Sequence, residues 1–97
     1  MTDLRKYARG KPCLIRVPGC TGGGDDTVLC HYRLSGYAGT ALKPDDFAFG
    51  ALGCSYCHDI VDGRRKYEGD RSVVRLMHAE GVMRTQARLV ADGIVQC

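Results

Sequence analysis

The chain has 97 residues, 26% of them charged and 44% hydrophobic, with 14 Lys and Arg against 11 Asp and Glu for a formal charge of +3. That length allows one domain with a modest core, which invites a metal or crosslink as a staple. No run is apolar and long enough to span a bilayer, and no apolar stretch follows the N-terminal charges as in a secretion signal. Membrane and export roles are therefore not expected, and a cytoplasmic, thiol-reducing setting is.

Residues 1–11 read as a basic lead-in carrying Arg5, Lys6, Arg9 and Lys11. Cys13 to Val17 alternates and is β-branched, which predicts a short strand, and Pro18-Gly19 predicts a turn. The Gly22-Gly23-Gly24-Asp25-Asp26 stretch is a linker, because it lacks the Gly-Lys-Ser/Thr ending of a phosphate-binding loop. Thr27 to Tyr32 predicts a second strand. Ser35 to Thr40 reads as loop, Lys43-Pro44-Asp45-Asp46 as a turn, and Phe47-Ala48-Phe49 as a brief extended piece. A short helix is predicted from Cys57 to about Asp62, stopped by Gly63. Asp70 is the expected cap of a long helix over 71–91. Its core face is predicted from Val73, Leu76, Met77, Val82, Met83, Leu89 and Val90, with Gly81 as a weak point in the middle. The fold class is thus α+β. A metal-binding core over 12–66 and a C-terminal helix over 70–92 form one domain with the lead-in.

The six cysteines are the first chemical signal. Cys54 and Cys57, two residues apart at a helix start, can bind one ion, and Cys13 and Cys20 flank the Pro-Gly turn. A turn pair plus a helix-start pair builds a treble-clef site for structural Zn²⁺, which favours four thiolates in a tetrahedron. Two disulfides or free thiols are the simpler alternative. Cys30 could replace a ligand, face a second metal or be a small buried hydrophobe. Cys97 is expected to be a free thiol.

The second signal is His58 with Asp62, four residues later on the same helix face. One imidazole nitrogen and one carboxylate oxygen could hold a catalytic divalent ion, Mg²⁺, Mn²⁺, Ni²⁺ or Zn²⁺. His31, on the strand across a gap, would take the proton from an attacking water. The gap would hold a phosphodiester, with Arg33 and Arg64 on the flanking phosphates. The mild basic excess suits a nucleic-acid partner, and Arg64-Arg65-Lys66 adds a local cluster.

A strand histidine, a loop and then Cys-x-x-Cys-His at a helix start resemble the HNH, or ββα-metal, endonuclease motif. Over residues 10–65 the set is narrower: Cys-x6-Cys, Thr27-Val28-Leu29-x-His31-Tyr32, Lys43-Pro44-x-Asp46, and Cys54-x-x-Cys57-His58-Asp59-x-x-Asp62-Gly63-Arg64. That set resembles the small prophage-encoded nuclease family typified by YbcO. The resemblance implies His31 as general base, His58 and Asp62 as metal ligands, and nucleic acid, DNA before RNA, as substrate. Two positions depart from the HNH pattern. Cys30 stands where a metal-binding Asp or His often precedes the base, and only Asp45 or Asp46 is at hand for the middle Asn.

Three rival readings use the same residues. A zinc-stapled nucleic-acid-binding module would need no chemistry. Cys54-x-x-Cys57-His58 is also a haem-attachment signature, with Met77 or Met83 as a further ligand. A disulfide-stapled extracellular domain would pair the cysteines instead.

Overall fold

The computed structural model describes residues 3–34 and 45–94. The expectations for Ser35–Thr40, Lys43, Pro44 and Cys97 lie outside these residues. The described chain is α+β, with a two-stranded antiparallel sheet and a long helix near its C-terminal end.

The expected lead-in arm contains a short helix, α1 (Leu4–Ala8). The Asp3 carboxylate caps it by accepting from the Arg5 and Lys6 amides. Leu4 and Ala8, one turn apart, are both buried, and Ala8 packs with Leu14 and Leu52. The charges seen in the sequence lie between these anchors, which hid the helix.

The segment expected to be a strand over Cys13–Val17 is a buried loop. Cys13, Leu14, Ile15 and Val17 are all buried, so the side chains do not alternate between core and solvent. Arg16 turns the chain at φ 65°, a left-handed conformation incompatible with a strand. The Leu14 amide donates to the Leu52 carbonyl at 2.7 Å. Pro18-Gly19 does form the predicted turn, with the Cys20 amide donating to the Val17 carbonyl at 2.9 Å. Gly19 sits at φ 95°, and an added Cβ would lie 2.6 Å from the Tyr56 hydroxyl, so only glycine suits this position.

The sheet pairs β1 (Val28–His31) with β2 (Gly50–Gly53), with Cys30 opposite Ala51 and His31 opposite Gly50. Phe47-Ala48-Phe49 is helical rather than extended. It belongs to α2 (Asp46–Phe49), capped by the Asp45 carboxylate, which accepts from the Ala48 amide at 2.8 Å. Helix α3 (Ser55–Asp62) begins two residues before its predicted start, with Cys54 as its N-cap. Gly63 ends it at φ 81° as expected.

Helix α4 (Arg71–Ala91) matches its predicted bounds, and Asp70 caps it by accepting from the Ser72 amide at 2.9 Å. Its core face differs from the prediction. Val74, His78, Gly81, Val82, Thr85 and Leu89 are buried, whereas Val73, Leu76, Met83 and Val90 are exposed and Met77 is half-buried. The buried face is chosen by fit to the backbone beneath it. Gly81 is a contact point rather than a weakness, since a Cβ there would press within 3.1 Å of the Leu14 carbonyl oxygen and the Ile15 Cα. Arg84 donates to the Leu14 carbonyl at 2.6 Å, and His78 bonds to the Cys30 carbonyl at 3.0 Å. The Thr85 hydroxyl donates to Gly81 O and accepts from the Leu52 amide at 2.9 Å.

Thr85→Val keeps the shape but strands the buried Leu52 amide. Removing one partner of a buried hydrogen bond costs about 1–3 kcal/mol. A urea titration should show that loss as a lower midpoint with an unchanged slope.

Candidate metal centre and active site

Two loops and a helix start bring four sulfurs together. Cys13 comes from the buried loop, Cys20 from just past the Pro-Gly turn, Cys54 from the α3 cap and Cys57 from its first turn. All four sulfurs lie within 4.8 Å of one another. The Cys13–Cys57 and Cys20–Cys54 separations are 3.6 and 3.8 Å. A disulfide would bring them to about 2 Å. Four thiolates about 2.3 Å from a tetrahedral ion sit about 3.8 Å apart along each edge. The cluster therefore has the dimensions of a structural metal site.

Its surroundings prepare the sulfurs for an ion. The Gly22 amide donates to Cys20 Sγ at 3.3 Å and the Cys57 amide to Cys54 Sγ at 3.4 Å. The hydrogen bond with Cys57 draws the Cys13 thiol down to about 4, while that same bond and burial push the Cys57 thiol up. Burial pushes the Cys20 thiol up as well, so four thiolates would share this small volume only with a cation among them. Cys30 stands outside this group. It is 1% exposed, its sulfur lies 3.8 Å from the Val28 carbonyl, and burial pushes its thiol up.

His31 Nε2 is 2.7 Å from Asp46 Oδ1. A carboxylate only accepts, so Nε2 carries the proton and the lone pair of a neutral His31 sits on Nδ1. His58 Nε2 is 3.0 Å from Asp62 Oδ2, one helical turn away on α3. Asp62 also takes a hydrogen bond from Arg64 at 2.7 Å. Among the described residues, no set of three His, Cys, Asp or Glu donors other than the four cysteines is close enough to hold an ion. His31 with Asp46 and His58 with Asp62 thus form two separate pairs rather than one closed cage.

An open cleft joins the two pairs. His31 and Asp62 line it with Arg33, Arg71, Arg75 and His78, while Val61 and Val74 supply its apolar part. His58 connects to it through Asp62. Arg71 donates to the Ile60 carbonyl at 2.8 Å, tying the start of α4 to the end of α3. Arg75 donates to the Tyr32 hydroxyl at 2.8 Å and lies over the Tyr32 ring at 4.7 Å. Three guanidinium groups and one carboxylate leave the lining net positive, which attracts phosphate.

Sequence reasoning placed His31, Asp62 and Arg33 at this cleft but missed Arg71, Arg75 and His78. Their signal was present: 71, 74, 75 and 78 follow the i, i+3, i+4, i+7 spacing of one helix face. A search for apolar positions passes over such a face. Arg64, expected on a phosphate, is instead paired with Asp59 and Asp62.

A family model described as "Putative nuclease YbcO" matches residues 2–94. This chain belongs to the YbcO family. It is similar to "Putative nuclease YbcO" of Escherichia coli (strain K12), at 41% identity over 97 residues and 99% of each chain. The same identity and coverage relate it to "Putative nuclease ybcO" of Enterobacteria phage 82. A solved structure described as that of a putative bacteriophage protein from Escherichia coli K-12 superposes with a TM-score of 0.76 at 36% identity. That match covers 94% of this chain and 100% of the other. Among its described residues no helix is long and apolar enough to cross a membrane.

Proposed function

We propose that this chain is a metal-dependent endonuclease of the HNH type on a zinc-stapled treble-clef core, acting in the cytoplasm as one domain over residues 1–97. The observation that carries the reading is the cleft itself. In it an imidazole held by a carboxylate shares a wall with a His-Asp pair and three arginines.

In this reading His31 is the general base. Asp46 accepts the Nε2 proton, fixes the tautomer and steadies the imidazolium that forms when Nδ1 takes a proton from water. Asp46 thereby fills the role that the HNH pattern gives to an asparagine. Arg33 and Arg75 hold the phosphodiester against this base, and Arg75 is itself kept in place by Tyr32.

The His58–Asp62 pair suits a hard divalent ion, which needs only one or two protein ligands and completes its shell with waters and phosphate oxygens. Mg²⁺, Mn²⁺, Ni²⁺ or Zn²⁺ at this pair would supply neutralising charge to the phosphate and to the departing 3′ oxygen. The four-cysteine site takes Zn²⁺ and has no open position, so it serves the fold alone. DNA is the first substrate to test and RNA the second.

The test is cleavage of supercoiled plasmid and of a long RNA by zinc-loaded protein, with each divalent ion added in turn. Cutting should appear on addition of the ion and cease on its removal. Binding without cutting under every condition would replace this reading with a zinc-stapled nucleic-acid-binding module.

A further inference from the structure

We propose that His78, on α4, is a positioning residue for His31, gripping the two residues that flank it on the chain. The inference rests on the reading of His31 as the base. On one side, His78 Nε2 is 3.0 Å from the Cys30 carbonyl, so that nitrogen donates its proton there. On the other, its ring meets Tyr32 edge-on, with centroids 5.3 Å apart and planes at 63°. One imidazole thus contacts both neighbours of His31.

The sheet leaves a place for such a grip. Among the described residues it has two strands, and β1 pairs with β2. Helix α4 packs chiefly against β2, where all four residues are buried. His78 carries the rigidity of α4 across to β1. The side chain is 6% exposed and locked by its two contacts, and a base must be held to within a fraction of an ångström to work. Asp46 fixes which way the His31 ring turns, and His78 fixes where the backbone beneath it lies.

Two substitutions separate the contacts. His78→Phe keeps a ring edge for Tyr32 but donates nothing to Cys30, whereas His78→Gln keeps an N–H for the carbonyl. With an oligonucleotide substrate, His78→Phe should lower kcat about 100-fold while KM stays within about twofold, the signature of a displaced reacting group. His78→Gln should recover at least about tenfold of that loss. The second readout needs no activity: the His31 ring signals in a nitrogen–proton correlation spectrum should shift or broaden in His78→Phe and return in His78→Gln. Should His78→Phe fail to fold, His78→Met, which is also apolar and donates nothing to Cys30, takes its place in the same two readouts.

Unchanged kcat and unchanged His31 signals in a folded His78→Phe protein overturn the proposal. So does a rise in KM alone, or His78→Gln behaving no better than His78→Phe. If the unaltered chain cuts nothing, the nuclease reading fails by itself, and the His31 signals still decide whether His78 positions that ring.

Discussion

Cys57→Ser should yield a chain that neither retains zinc nor folds. The four sulfurs join three stretches: the buried loop at Cys13, the turn at Cys20 and the start of α3. Structural zinc contributes roughly 10–16 kcal/mol of apparent binding free energy near neutral pH. The whole stability of a small domain is only about 5–15 kcal/mol. Losing the ion therefore removes as much as the fold has to give. Metal analysis should show one zinc per unaltered chain and none in Cys57→Ser. Circular dichroism of the variant should show no cooperative melt. Cys30→Ala provides the contrast, because this buried thiol lies outside the cluster and its loss leaves only a small cavity. That protein should keep its zinc and melt cooperatively at a lower temperature. A Cys57→Ser chain with full zinc content and a normal melt would remove the metal staple from the account.

His31→Ala should abolish cleavage without loosening the hold on nucleic acid. General-base catalysis accounts for roughly 10²–10⁴ in rate. The other histidines near the cleft are committed elsewhere, His58 to Asp62 and His78 to the Cys30 carbonyl. Binding should stay within about twofold, because the arginines proposed to contact phosphate are left in place by the substitution. Fluorescence anisotropy measures the binding and plasmid nicking the rate, at one fixed salt concentration. Asp46→Asn should fall between, since an amide can donate as well as accept and so no longer fixes the tautomer. Cleavage by His31→Ala at the unaltered rate would assign the proton transfer to another group.

The parts most legible in the sequence are those that local chemistry decides. Asp70 and Gly63 mark helix ends by capping, and both act as expected. The Cys-x-x-Cys pair and the cysteines on either side of the Pro-Gly turn assemble into one cluster. What escaped is whatever the tertiary contacts decide. Strand β2 is Gly50-Ala51-Leu52-Gly53, a sequence with almost no β propensity, and its glycines make room for Leu29 beside Gly50 and for Ile15 and Cys30 beside Gly53. The face of α4 was misread because its buried positions include His78, Gly81 and Thr85, which serve backbone groups of the loop and strands. A hydropathy pattern follows Val73, Leu76, Met83 and Val90 instead, and these are exposed. Asp46, offered by the resemblance only as one of two candidates, reaches His31 across 15 residues, and His78 reaches Cys30 across 48, a distance over which no local rule speaks.

The close seating of Gly81 on the Leu14–Ile15 backbone gives α4 the character of a ruler with a fixed zero mark. On one side of that mark Arg71, Arg75 and His78 face the cleft, and on the other Arg84 and Thr85 reach carbonyl and amide groups beneath. Each added residue turns a helix by about 100°. One residue inserted between His78 and Gly81 would swing the cleft-lining half away while leaving the anchoring half in place. This helix can exchange many of its outward side chains, but its length on either side of the glycine is not negotiable.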